Sequence, residues 1–314
     1  MTSLSVVLSF RNEEAVLPEL MRRLHATLEP MGMDYEFIFV NDASTDRSLD
    51  ILKEQSKKDF HIRILNMSRR FGVGPCMLAG LRHAAGSAVV TMDTDLQDPP
   101  EIIPQMVEAW LKGAEVVHTV RTAREGESRF KIWLTRMAYG FLHLVSDIHL
   151  PREAGDFKLI SRRLADELLR FNEKDPYLRG MISWLGFKQA FVPYRRQKRF
   201  AGITHFPLHS RGPLRTFLSA LTSFSAFPLK MLILFGLAAM VFSWGYLILP
   251  CLMKCAGLEF HEWSPVLAAV LFFGACQLLS AGVLGLYMSR IYAQVNNRPD
   301  YVIESRVGFE MVQR

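Results

Sequence analysis

Residues 88–101 read AVVTMDTDLQDPPE, and the fold turns on them. The run 88–92 is apolar and bounded by turn residues, so it predicts a buried strand. Asp93 and Asp95 follow where that strand stops, two positions apart, and Gln97 adds a neutral oxygen donor. Two carboxylates this close repel each other unless a cation lies between them. Hard oxygen ligands suit Mg²⁺ or Mn²⁺, which usually also take phosphate oxygens from a substrate. A solvated loop is the alternative reading. Pro99, Pro100 and Glu101 then open a helix, as proline in a first turn does.

The same grammar extends outward in both directions. Strands are expected over residues 4–9, 36–41, 62–66, 115–120 and 187–192. Val16, Leu17, Leu20, Leu24 and Leu28 keep one helical face apolar, and helices are expected over 48–57, 74–84 and 101–111. Such alternation predicts an α/β domain with a mostly parallel sheet and helices on both faces. Ligands of these sheets bind beyond the carboxyl ends of the strands. SFRNEE places Ser9, Asn12, Glu13 and Glu14 after the first strand, with Asn12 a possible helix cap. There is no GxGxxG, so the dinucleotide fingerprint is absent. VNDASTD places Asn41 and Asp42 after the second strand. They suit hydrogen bonds to a nucleoside, and equally suit a turn. After the last strand comes YRRQKRFAGITH, residues 194–205. It reads as a mobile basic loop over a diphosphate or as a collar for anionic lipid. Nucleic acid is the weakest reading, because the same chain carries lipid-spanning stretches.

The chain has 314 residues, half of them hydrophobic and 22% charged. This excludes disordered, collagen-like and disulfide-scaffold classes. Cys76, Cys251, Cys255 and Cys276 form no CxxC pair and read as small hydrophobes. A net charge of +6 points to an anionic partner. Residues 231–249 and 265–288 are apolar and uncharged. As helices they would reach about 28 and 36 Å, against about 30 Å of hydrocarbon. The absence of charge within them disfavours a transporter. Their connection holds Lys254 as its only basic side chain, whereas Arg211, Arg215, Lys230, Arg290, Arg298 and Arg306 flank the pair. The positive-inside rule then places both termini in the cytoplasm. The N-terminus lacks the basic region of a signal peptide. Residues 133–150 and 213–227 read as interfacial helices, with core packing as the alternative.

Taken in order, SFRNEE, VNDASTD, DTDLQDPPE, EAGDFKLISRR, YRRQKRFAGITHF and TSFSAFPLK with two spans resemble a known group. These are the inverting family 2 glycosyltransferases that make polyprenyl-phosphate hexoses. They include dolichyl-phosphate mannose synthases and bacterial bactoprenol glucosyltransferases with a C-terminal membrane hairpin. The resemblance implies a GT-A fold: a Rossmann-like mixed sheet with helices on both faces, followed by interfacial helices and two transmembrane helices. It divides the chain into a cytoplasmic catalytic domain (1–210), a juxtamembrane helix (211–230), a membrane hairpin (231–289) and a cytoplasmic tail (290–314). It implies a bacterial inner-membrane enzyme, a homotetramer by analogy, that moves a sugar from a nucleotide donor to undecaprenyl phosphate. A UDP-hexose is the favoured donor; an amino sugar or modified pentose is the alternative.

Site residues carry over by position. Asp93, Asp95 and Gln97 match the metal and donor-diphosphate site, for Mg²⁺ or Mn²⁺. Ser9, Arg11, Glu13, Asn41, Asp42 and Asp93 match positions around the donor nucleotide. Asp156, in AGDF, matches the aspartate at the reacting centre; with Asp95 it is the candidate catalytic pair. Asp156 is expected to orient or balance charge rather than act as an essential base. Arg121, Arg196, Arg199, Thr204 and His205 match phosphate-binding positions. Three departures stand out: Asn41 where the family commonly has aspartate, and Val73 and His205 where it has lysine. A processive synthase of the same superfamily would carry QxxRW, which is missing. A non-catalytic membrane scaffold would be marked by a lost DxD, yet Asp93 and Asp95 are both present.

Overall fold

The computed structural model describes residues 3–124, 154–171, 177–198, 227–257 and 265–309, with positions 137, 140, 173, 174, 200 and 225 besides. β1 (Ser3–Phe10), β2 (Asp34–Asn41), β3 (Ile62–Met67) and β4 (Ala88–Asp93) are the expected apolar runs, and they pair in parallel. Val6, Val7 and Leu8 of β1 are fully buried, as a strand covered on both faces requires. β5 (Val116–Arg124), β6 (Ala154–Ser161), β7 (Gln189–Arg196) and β8 (Ile303–Val307) complete one sheet in the order β7-β5-β6-β4-β1-β2-β3-β8. β6 runs antiparallel to β4 and β5, and β8 antiparallel to β3, so the sheet is mixed.

α1 (Leu17–Leu28), α2 (Ser48–Ser56), α3 (Val73–His83) and α4 (Ile103–Leu111) occupy the expected helical stretches. α5 (Arg162–Arg170) and α6 (Leu178–Trp184) follow β6. α1 turns Leu17, Leu20, Met21, Leu24 and Leu28 to the sheet. α3 comes so near β1 that a Cβ on Gly80 would lie 2.2 Å from Val7 Cγ1.

Four strands depart from the sequence reading. β5 and β7 each run four residues past their expected ends at 120 and 192, so Tyr194, Arg195 and Arg196 of the expected basic loop lie in β7. β6, AGDFKLIS, carries Asp156 and Lys158 inside the strand, so it has no uninterrupted apolar run. β8, IESRV, is only five residues long with three exposed, and it lies in the stretch expected to be a tail. Residues 303–307 therefore belong to the sheet rather than to a free C-terminus. The chain divides into two compact units: one contains the sheet and α1–α6, the other α7 (Phe227–Cys255) and α8 (Pro265–Val295). The expected juxtamembrane helix ends at 230, but residues 227–230 already form the first turn of α7; 211–224 lie outside the described residues, as do 133–150 apart from Met137 and Gly140. Among the described residues one stretch, Phe272–Val295, is long and apolar enough to cross a membrane, and Phe227–Ala239 is a shorter apolar helix.

Candidate active site

The parallel strands end side by side. Ser9 stands in register with Val40 on one flank and Asp93 on the other, and Phe10 with Asn41. Beyond these ends the chain must turn, and its polar side chains stitch the turns together. Arg11 Nη1 donates to the carbonyls of Asp42 (2.7 Å) and Ala43 (2.8 Å). Asn12 sits in the left-handed region (φ 54°), which asparagine tolerates better than most residues. Its Oδ1 accepts from the Thr45 amide at 2.8 Å, so it braces the neighbouring loop instead of capping α1, whose N-cap is Val16. Glu13 is buried, and its amide donates to Ser48 Oγ at 2.8 Å.

Asp42 accepts the amides of Phe71 (2.6 Å) and Gly72 (3.1 Å), which fixes the entry to α3. Gly72 has φ 95°, a conformation that needs glycine. Asn41 donates to Asn66 and accepts the Ser44 amide. Arg11, Asn41 and Asp42 thus fix the loops that follow β1, β2 and β3 through bonds within the protein.

A second group gathers at the ends of β4, β6 and β7. Asp93 ends β4. Leu96 turns left-handed (φ 56°), and the Gln97 amide donates to Asp95 Oδ1 at 3.0 Å. Burial pushes the Asp93 carboxyl up to about 7, and Asp156, Asp98 and Asp95 push the same way against the pull of Arg121. Asp156 Oδ1 and Oδ2 accept Arg179 Nε and Nη2 of α6 at 2.7 and 2.6 Å. Burial alone would raise this carboxyl, but Arg179, Lys158 and Arg121 hold it well below the usual carboxylate range. Asp156 is therefore ionised and braced, a poor proton acceptor. Lys158, two residues on and 3% exposed, is lowered to about 8 by its burial.

Asp98 is the hub of the group, 1% exposed. It accepts the Tyr194 hydroxyl and pairs with Arg196 Nε (3.7 Å) and Arg121 Nη2 (4.0 Å). Arg121 Nε also donates to Tyr194 Oη at 3.0 Å. Burial, then the Asp98 charge, pushes the Tyr194 phenol up to about 12. Gly155 leaves room for Arg121: a Cβ there would lie 2.6 Å from its Nη2. The stem of the basic loop is fixed too, since the Gln197 amide donates to Gln97 O at 2.9 Å.

The structure brings Asp93, Asp95, Asp156, Arg121 and Arg196 to one group, while Arg199, Thr204 and His205 lie outside the described residues. Among the described residues no three Asp, Glu, His or Cys side chains gather closely enough to hold a metal by themselves. Asp98, Tyr194, Lys158 and Arg179 were not singled out from sequence. Asp98 and Tyr194 sit inside quoted motifs and were within reach. Arg179, on a short helix 23 positions from its partner, carried no signal.

Residues 5–169 match the family described as Glycosyl transferase family 2. The uncharacterized glycosyltransferase YkcC of Bacillus subtilis (strain 168) is 39% identical over 98% of this chain and 94% of its own. The SfII prophage-derived bactoprenol glucosyl transferase of Shigella flexneri is 34% identical over 96% of this chain and 97% of its own. The glucosyl-3-phosphoglycerate synthase of Mycobacterium tuberculosis, solved with Mn²⁺, UDP and phosphoglyceric acid, is 22% identical. It covers 70% of this chain and 78% of its own with a TM-score of 0.50, a likeness of fold.

Proposed function

This chain belongs to glycosyl transferase family 2 and is a glycosyltransferase, and on that premise we propose that it transfers a hexose from a UDP-sugar to polyprenyl phosphate, with inversion at the anomeric carbon. The observation that carries this reading is the meeting of Asp93, Asp95, Asp98 and Asp156 with Arg121, Arg179 and Arg196 beyond the strand ends. It supplies opposite charges for a reaction whose leaving group is a nucleoside diphosphate.

Asp93 and Asp95, with the Gln97 side chain, would hold a divalent cation. The donor set suits one: the neighbouring carboxylates push Asp93 toward protonation, which a cation would reverse. Two carboxylates leave the rest of the shell to diphosphate oxygens and water, the usual Mg²⁺ arrangement. Bound Mg²⁺ or Mn²⁺ would offset the negative charge gathering on the departing diphosphate. Arg121 and Arg196, held in place by Asp98 and Tyr194, orient toward the same phosphates. The acceptor is a phosphate monoester with a second pKa of about 6, so at neutral pH its oxygen attacks as an anion without a general base. Asp156, kept ionised by Arg179, balances positive charge developing on the sugar ring.

A polyprenyl chain leaves the bilayer only at about 0.8 kcal/mol per CH₂, so the enzyme must come to the lipid. α7 and α8 suit a membrane hairpin with both ends in the cytoplasm: Leu278 and Leu279 of α8 are 76% and 72% exposed, which water would penalise and lipid favours. Chelation provides the test. UDP-hexose binding by purified protein is expected to fall at least about tenfold with EDTA or Asp93→Ala, and to return with Mn²⁺ only in the unmutated protein. Binding indifferent to both would contradict the proposed site.

A further inference from the structure

One hydrogen-bond chain connects the candidate donor loop to the C-terminal strand. Ser44 N–H donates to Asn41 Oδ1 at 3.0 Å. Asn41 Nδ2 donates to Asn66 Oδ1 at 2.7 Å, and Asn66 Nδ2 donates to Glu304 Oε2 at 2.7 Å. The three side chains sit on adjacent strands: Asn41 is in register with Asn66, and Asn66 with Ser305 beside Glu304. The strand is pinned close by, where Ser68 N–H donates to the Val302 carbonyl at 3.0 Å.

The chain has a fixed polarity. A backbone N–H can only donate, and a carboxylate can only accept. Between those ends each amide has a single orientation that satisfies both neighbours. Reversing Asn66 would face its oxygen to Glu304 and its NH₂ to the Asn41 NH₂. Glu304 therefore fixes the orientation of Asn66, and through it reinforces the orientation in which Asn41, 1% exposed, accepts the Ser44 N–H and holds the first turn of the loop. That loop keeps Ala43 at φ 53°, a left-handed conformation that costs about 1 kcal/mol or more for a residue with a Cβ and persists only where the surroundings enforce it.

We propose that Glu304 is a positioning residue for the donor nucleotide, acting through Asn66 and Asn41 on the loop 41–45. Its effect on donor binding rests on the function proposed above; the hydrogen-bond chain does not.

The polarity makes a reciprocal prediction. Asn41→Asp removes the donor facing Asn66, so two oxygens meet, and turning Asn66 over only moves the clash to Glu304. Glu304→Gln relieves it, because its amide can donate to the reversed Asn66. Asn41→Asp alone is expected to weaken binding of UDP, used as the probe in calorimetry, by about tenfold and to raise donor KM with kcat within about twofold. Adding Glu304→Gln should return both to within about threefold of the unmutated protein, and Glu304→Gln alone should stay near it, since its amide oxygen still accepts. Amide exchange follows the same pattern without any nucleotide: 42–45 exchanges faster in Asn41→Asp and recovers in the double variant, while β1 stays protected as a folding control. Equal penalties in single and double variants, in both exchange and binding, would overturn the proposal. Unmutated protein that binds no UDP would contradict the proposed donor instead, and the exchange pattern would still decide whether Glu304 orients the loop.

Discussion

Two residues at the acidic group carry the sharpest consequences. The Arg179–Asp156 pair is a planar fork on a carboxylate, a geometry lysine cannot reproduce. Arg179→Lys is expected to lower kcat by about ten- to a hundredfold with donor KM little changed, because the lost interaction acts on charge that develops during transfer. Steady-state kinetics checks this, and a pure KM effect would place Arg179 in donor binding instead. Gly155→Ala puts a methyl against the end of Arg121, whose guanidinium must then shift away from Tyr194 and Asp98. Transfer should fall at least about tenfold while the melting temperature holds within about 2 °C, since the disturbance lies at the end of one side chain. Asp156 itself was legible from sequence, sitting in AGDF. Its state was not, because that depends on an arginine which only the folded chain brings near.

At the scale of elements, the sequence resolves what periodicity can carry. β1, β2 and β4 carry apolar runs, β3 keeps Ile62, Ile64 and Leu65 about Arg63, α1 has a single apolar face, and all four strands and α1 to α4 occur where expected. β6 escaped because Asp156 and Lys158 interrupt its apolar pattern. β8 escaped because an exposed edge strand has little to bury. Packing between elements was also beyond reach: nothing in LAGLR announces that α3 touches β1 at Gly80. Gly80→Ala should improve helix propensity by about 1 kcal/mol, yet its Cβ would overlap Val7, and overpacking costs about 1–3 kcal/mol. A net loss of stability in chemical unfolding is expected. A gain would mean that α3 moves away from the sheet at little cost.

For the whole molecule, pH and the two long helices define the working conditions. His118, on β5, is 1% exposed and stacks on Phe191 with 5.5 Å between ring centroids. Burial, then the charge of Lys158, pushes its imidazole down to about 3. The unfolded chain, with histidine near 6.5, binds the extra proton first. The associated stability is complete above about pH 6.5 and is lost progressively as pH falls toward 3. Between about pH 7.5 and pH 5 this one group should cost about 2 kcal/mol. Thermal unfolding of the full chain in detergent should show that loss, reduced in His118→Gln; an undiminished loss would assign the acid sensitivity to other groups. The long helices were evident in their composition, and the two compact units separate them from the sheet.

The most direct measurement uses the full chain in detergent with a panel of nucleotide sugars, undecaprenyl phosphate and Mn²⁺ or Mg²⁺, with lipid products read by mass spectrometry. The account predicts one sugar-phosphate-lipid product, formed from a UDP-hexose and lost in Asp93→Ala. No product from any donor, by protein shown to be folded, would contradict it, as would a product formed equally well without Asp93.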